Sequence, residues 1–250
     1  MSHVLLTLQY DGTRYHGWQV QPNGITVQET LQDAIERVTG VRAAVTGCSR
    51  TDAGVHANRF YCTTAQPERL TCDKFVQALN ALLPNDIAVL SCHMVADEFH
   101  PRYSVEAKRY VYHIWNGAVR HPFAERYAHH VRTPLDVAHM NQTAALFVGT
   151  HDFSAFCSSG SSVEDKTRTI RRSLVERQGD HLTYTVEADG FLYNMVRILV
   201  GTLLDVESGR LTLEDVRQAL QTGDRNRAGV TAPACGLFLE EVWYKTEGSV

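Results

Sequence analysis

Read for hydrophobic periodicity, the chain predicts an α+β fold of two ferredoxin-like (β-α-β-β-α-β) halves, each with an antiparallel sheet, joined side by side around a central cleft. Three observations carry that prediction. Runs alternating at period two are interleaved with segments at helical spacing, in the order strand, helix, strand, strand, helix, strand. The same order returns with longer insertions, which divides the chain into halves at 1–105 and 106–250. Capping residues, glycine and proline punctuate the pattern where helices should start and stop. The halves share no visible sequence similarity, so the repeat is one of pattern only.

Residues 3–11 form the first strand, with Leu6, Leu8 and Tyr10 on one face. Residues 27–39 place Val27, Leu31, Ala34, Ile35 and Val38 on one helical face; Thr26 with Glu29 reads as a capping box and Gly40 as the stop. Strands at 41–48 and 55–64 follow. A helix near 73–83 carries Phe75, Leu79, Leu82 and Leu83, and Pro84 ends it before an extended run at 86–99. In the second half, a strand at 107–116 precedes a helix opened by Thr133-Pro134 and running to about residue 148. A polar loop from Ser158 to Asp165, whose Ser158, Ser159, Ser161 and Ser162 read as linker, leads to strands at 167–177 and 181–189. A helix at 191–207, a short one opened by Thr212 with Asp215 three residues on, and a strand at 236–245 complete the order. Sheet faces left uncovered would offer aromatic and basic side chains at period two to a polymer.

Composition narrows the function classes. With 250 residues, 44% hydrophobic and 21% charged, the chain reads as an ordinary globular protein. Its start, Met1-Ser2-His3-Val4, runs into the first strand without a basic leader region, and no apolar run reaches membrane-spanning length. The six cysteines contain no C-x-x-C spacing, which argues against zinc and disulfide scaffolds and for reduced thiols in a cytoplasm. The net charge of -4 does not advertise nucleic acid, yet Lys166, Arg168, Arg171 and Arg172 cluster, as do Arg102, Lys108 and Arg109.

Three residues stand out. Asp52, in Gly47-Cys48-Ser49-Arg50-Thr51-Asp52-Ala53-Gly54-Val55-His56-Ala57, sits in a loop of small residues beside Arg50, and Gly54 permits close approach of another molecule. Such a loop presents a carboxylate to a ligand, or simply closes a hairpin as an Asx-turn. Arg197 is the one charge in Phe191–Leu204, an otherwise apolar helix, and a buried guanidinium requires a carboxylate partner, either as a core ion pair or at a site. Asp52 is the candidate, and pairing would keep it ionised and aimed as a nucleophile needs. Tyr110 shares a strand face with Lys108, Tyr112 and Ile114, a stripe that is either core or a stacking surface for a base. The twelve histidines show no metal-ligand spacing, and no phosphate-binding glycine loop or serine nucleophile motif is present.

The run Arg50-Thr51-Asp52-Ala53-Gly54-Val55-His56-Ala57 resembles the active-site motif of the TruA family of tRNA pseudouridine synthases. The resemblance continues in order through Tyr10-Asp11-Gly12-Thr13-Arg14-Tyr15-His16-Gly17-Trp18-Gln19, Phe99-His100-Pro101-Arg102-Tyr103-Ser104, Arg109-Tyr110-Val111-Tyr112, His151-Asp152-Phe153, Gly190-Phe191-Leu192 with Met195-Val196-Arg197, and Ala232-Pro233 with Gly236-Leu237. Departures at Cys48-Ser49, Pro101 and Asn58-Arg59 touch none of Asp52, Tyr110 and Arg197. The resemblance implies that Asp52 is the nucleophile, that Tyr110 packs on the uracil and assists proton removal from C5, and that Arg197 pairs with Asp52. It implies a tRNA partner modified at positions 38, 39 and 40 of the anticodon stem-loop, a homodimer, and no cofactor. Arg50, Arg14, His16, Arg102 and Arg168 are the expected RNA contacts. Two other classes compete. A plain RNA-binding protein would leave the Asp and Arg without a role and should carry an RNP1 string; a carboxylate hydrolase needs a second acid as distinctively placed.

Overall fold

The computed structural model describes residues 3–160 and 163–245; Ser161 and Ser162 of the expected linker lie outside the described residues. The chain divides into two compact units. The first runs to Glu106 and takes back the chain from Phe238 on; the second is Ala107–Leu237.

In the first unit, β1 (His3–Tyr10), α1 (Val27–Thr39), β2 (Thr46–Gly47), β3 (His56–Ala65), α2 (Cys72–Asn80) and β4 (Ile87–Val95) follow the expected order. β1 is central, antiparallel to β3 with Leu6 opposite Cys62 and to β4 with Leu6 opposite Cys92. Val4, Leu6, Leu8 and Tyr10 of β1 are buried with Leu31 and Ile35 of α1 and Phe75 and Leu79 of α2, which makes this face the core. Each fully buried side chain of this size contributes roughly 1.5–3 kcal/mol. α1 begins where Thr26 Oγ1 accepts from the Glu29 N–H at 3.3 Å and ends at Gly40, φ 78°.

β2 is far shorter than the expected 41–48, and α1 is the reason. Gln28 and Gln32 donate to the carbonyls of Val45 and Ala43 at 2.8 and 3.1 Å, and Arg42 reaches Asp33 and Glu36 at 2.6 and 3.0 Å. Those carbonyls are therefore claimed by helix side chains, and only Thr46 and Gly47 pair with β3.

The sheet of this unit is mixed, a correction to the antiparallel expectation. β10 (Leu237–Tyr244) lies parallel to β3, with Phe238 opposite His56 and Leu239 opposite Ala57. A parallel neighbour requires a long crossover connection, and the whole second unit supplies it. The last strand thus completes the first unit, whereas the sequence pattern grouped it with 106–250.

The second unit contains β5 (Val105–Trp115) from Ala107 on, β6 (His129–His130), α3 (Val137–Leu146), β7 (Gly149–Asp152), β8 (Thr167–Gln178), β9 (His181–Ala188), α4 (Met195–Glu207) and α5 (Leu213–Thr222). β5, β9, β8 and β7 are successive antiparallel neighbours, with Tyr110 opposite Val186 and Val175 opposite Tyr184; β6 adds a parallel pair to β5. α3 opens at Asp136 instead of Thr133-Pro134, because the Asp136 carboxylate accepts from the N–H groups of Ala138 and His139 at 2.8 and 3.3 Å. α5 carries the expected Thr212–Asp215 capping box in full. α4 starts at Met195, four residues later than expected, because Asn194 takes a left-handed conformation with φ 59°.

Candidate active site

Asp52 is the first residue of a β-turn. The Val55 N–H donates to the Asp52 carbonyl at 3.1 Å, and Gly54, third in the turn, has φ 78°, as a type II turn demands. Sequence alone could assign this turn to hairpin closure; the surroundings show a more elaborate build. The segment between β1 and α1 straps the loop: the Trp18 N–H donates to the Thr51 carbonyl at 3.1 Å and the Gly54 N–H to the Tyr15 carbonyl at 3.3 Å. Gly17, φ 87°, and Gly12 both lie so close that a Cβ would collide with the backbone of Thr51 and of Val55 respectively. Trp18 stacks on Phe60 with centroids 4.0 Å apart, and the Tyr10 hydroxyl shares a buried 2.8 Å hydrogen bond with Thr51 Oγ1. Beneath the turn, His56 is buried, accepts from the Gly12 N–H at 3.1 Å on Nδ1 and stacks on Phe238 at 4.5 Å. The carboxylate itself is half-buried and Arg50 is exposed. A rigid base with a partly exposed carboxylate suits attack on a bound ligand.

The strap explains a motif that sequence reasoning assigned to RNA contacts. Arg14 donates to Asp86 Oδ2 from Nε at 2.8 Å and from Nη2 at 2.5 Å, and the Tyr15 hydroxyl donates to Asp86 Oδ1 at 2.7 Å. Hydrogen bonding to Asp86, then its charge, holds the Arg14 guanidinium above its ordinary pKa; burial, then the Asp86 bond, pushes the Tyr15 phenol up. Asp86 thus anchors the strap to the start of β4, a role invisible in the sequence. His16 is exposed, its ring against Gly24. Arg102 is exposed too, 5.9 Å from the ring of Tyr103, itself 74% exposed.

The second unit holds the other expected site residues. Tyr110 is buried on β5 with its ring edge-on to Phe191, centroids 5.0 Å apart. The stripe Lys108, Tyr110, Tyr112 and Ile114 does share a face, but all four are buried, and the Tyr112 hydroxyl donates to the Pro233 carbonyl at 2.8 Å. Tyr112 is therefore core rather than a stacking surface, and burial pushes its phenol well up. Arg197 is half-buried; its Nε donates to the Ala232 carbonyl at 2.7 Å and its Nη1 to Asn194 Oδ1 at 2.9 Å. Arg168 is half-buried and caps the carbonyls of Asp165 and Thr167 at 3.0 and 2.6 Å. Within its own unit each set is locally braced: Asp52 with the strap, Tyr110 with Phe191, and Arg197 with Asn194.

Among the described residues no group of three or more His, Cys, Asp or Glu could hold a metal, and no helix is long and apolar enough to cross a membrane.

The family model described as tRNA pseudouridine synthase matches residues 7–104 and 143–245, which include Asp52 and Arg197 and leave out the strand carrying Tyr110. The match makes the protein an enzyme, of the isomerase class. The chain belongs to the tRNA pseudouridine synthase family. It is 44% identical over 244 residues to a protein of Thermoanaerobacter sp. (strain X514) named tRNA pseudouridine synthase A, covering 98% of this chain and 100% of that one. Proteins of the same name from Clostridium kluyveri and Brevibacillus brevis are 43% and 45% identical over the same shares. A chain of a solved Cbf5-Nop10-Gar1 complex aligns at 12% identity over 92% of this chain and 56% of its own, with a TM-score of 0.35.

Proposed function

We propose that this protein isomerises uridine to pseudouridine at positions 38, 39 and/or 40 in the anticodon stem-loop of tRNA, with Asp52 as the nucleophile. The observation that carries the reading is the turn that presents a half-buried Asp52 carboxylate on a base strapped by Tyr15, Gly17 and Trp18. Asp52 attacks ribose C1′ as the C1′–N1 bond breaks, the freed uracil anion turns, C5 joins C1′ as the Asp52–C1′ bond breaks and restores the carboxylate, and the C5 proton leaves while N1 takes one up. Substrate and product are isomers, so the rearrangement consumes no cofactor. Arg197 supplies the countercharge for the carboxylate, and Tyr110 packs on the uracil and assists proton removal at C5. A base stacked in a stem must first be flipped out, and the enzyme must then hold it. Arg50, Arg14, His16, Arg102 and Arg168 serve the phosphates, with Arg14 the weakest candidate because Asp86 already takes its charge. The protein works in the cytoplasm as a homodimer.

The test is release of tritium from tRNA labelled at uracil C5. Wild type releases it; Asp52→Ala lowers the rate about a thousandfold or more while still retarding tRNA in a gel-shift measurement. Release by Asp52→Ala at the wild-type rate sinks the nucleophile, and loss of binding together with activity returns the loop to a structural role. Mapping pseudouridine along the product tRNA decides the positions, and light scattering of the purified protein decides the dimer.

A further inference from the structure

Asn194 is the one non-glycine residue with positive φ among the described residues, at 59°. A left-handed conformation costs an ordinary L-residue roughly 1–2 kcal/mol, less for Asn, and persists where the surroundings enforce it. Asn194 occupies the N-cap of α4, where an Asn side chain usually accepts a hydrogen bond from the first-turn N–H groups. Here it makes no capping bond. Both ends of the amide are used elsewhere: Oδ1 accepts from Arg197 Nη1 at 2.9 Å, and Nδ2 donates to Ser158 Oγ at 2.9 Å. Ser158 is tied back in turn, its N–H donating to the Tyr193 carbonyl at 3.1 Å.

We propose that Asn194 is a positioning residue for the uridine rearrangement, clamping the Arg197 guanidinium between its own side chain and the Ala232 carbonyl. The inference rests on the reading of Arg197 as the countercharge. Arg carries about 2 kcal/mol of rotamer entropy, and an unanchored guanidinium would spend it at each turnover. Two bonds to different N–H directions, Nε to Ala232 at 2.7 Å and Nη1 to Asn194, fix the plane of the group. The Ala232 N–H donates back to the Arg197 carbonyl at 3.1 Å, so the carbonyl side of the clamp is rigid as well. The left-handed backbone turns the short side chain of Asn194 away from the helix end and toward Arg197 and Ser158, where a residue with extended backbone, such as Thr26 before α1, caps the helix instead.

The experiment uses tritium release with Asn194→Gly, Asn194→Asp, Arg197→Lys, Arg197→Ala and the double variant Asn194→Gly/Arg197→Lys. Glycine takes the same backbone without strain but has no amide, so Asn194→Gly keeps a wild-type melting temperature and loses about tenfold or more in kcat, with KM for tRNA unchanged within about twofold. Aspartate keeps an acceptor for Arg197 and can accept from the Ser158 hydroxyl, so Asn194→Asp stays within about threefold of wild type. Because Asn194 acts through Arg197, the double variant is no slower than Arg197→Lys alone. Wild-type kcat in Asn194→Gly, equal loss in Asn194→Gly and Asn194→Asp, or independent multiplication of the two losses overturns the proposal. Wild-type kcat in Arg197→Ala overturns instead the reading of Arg197 on which it rests.

Discussion

Gly17 and Gly40 share a left-handed backbone, φ 87° and 78°, yet only at Gly17 would a Cβ meet anything, the carbonyl of Thr51 beside Asp52. The pair separates backbone strain from damage to the site. Gly40→Ala should lower stability by about 1 kcal/mol and leave tritium release intact. Gly17→Ala should lower stability by more than that and also reduce kcat, since the Thr51–Asp52 backbone must give way. Equal kcat in the two variants would show that the strap does not aim the carboxylate. Asp52 and Arg50 were legible in the sequence because small residues around a lone acid mark a presented loop. Arg197 was legible as the one charge in the apolar run from Phe191 to Leu204, but its anchors were not: one is a backbone carbonyl 35 residues away, and the other is an asparagine whose backbone conformation no composition reveals. Tyr110 was correctly placed on a strand face, whereas exposure of that face depends on what packs against it.

At the scale of elements, side chains of α1 decide how much of the following segment becomes strand. Gln28 uses both ends of its amide, accepting from the Val20 N–H at 3.0 Å and donating to the Val45 carbonyl at 2.8 Å. Gln28→Leu should release both segments: the Val20 amide exchanges with solvent about fivefold faster or more, while Leu6 and Leu8 amides in β1 keep their protection. Unchanged exchange at Val20 would mean that the bond contributes nothing net. Long amphipathic helices and alternating strands were readable because burial on one face imposes a period. The ends of α3 and α4 were not, since Asp136 and Asn194 compete with earlier candidates through local geometry. β2 was overread because an extended segment need not be paired.

For the whole molecule, half-buried histidines tie stability to pH. Burial, joined at His129 by the charge of His130, lowers the imidazole pKa of His129 and His181 below the ordinary 6.5. The unfolded chain therefore binds protons first as the pH falls, so stability is full above about 6.5 and is lost as the pH drops toward the folded values. His181 also faces His113, Nε2 to Nδ1 at 3.2 Å, and protonating both would set two cations together. The melting temperature should fall from pH 7.5 to about 5.5. His181→Gln should flatten that slope, and an unaltered slope would remove His181 from the account.

If the proposed local cations meet the phosphates, binding of tRNA should weaken steeply with salt despite the net charge of -4. Arg102→Ala should shallow the salt slope by about one unit without changing kcat, and an unaltered slope would take Arg102 off the RNA.

The amino-acid order by itself determined the long strands and helices in their order along the chain, the small-residue turn at Asp52 and the family motifs, because these depend on periodicity and on residues adjacent in the chain; the short strands β6 and β7 carry too few residues to show a period. Only the tertiary structure decided that the last strand returns to lie parallel to β3, that Asp86 anchors the strap, and that Asn194 holds Arg197. Each of those joins residues whose meeting, or whose backbone conformation, is selected by packing of the folded chain.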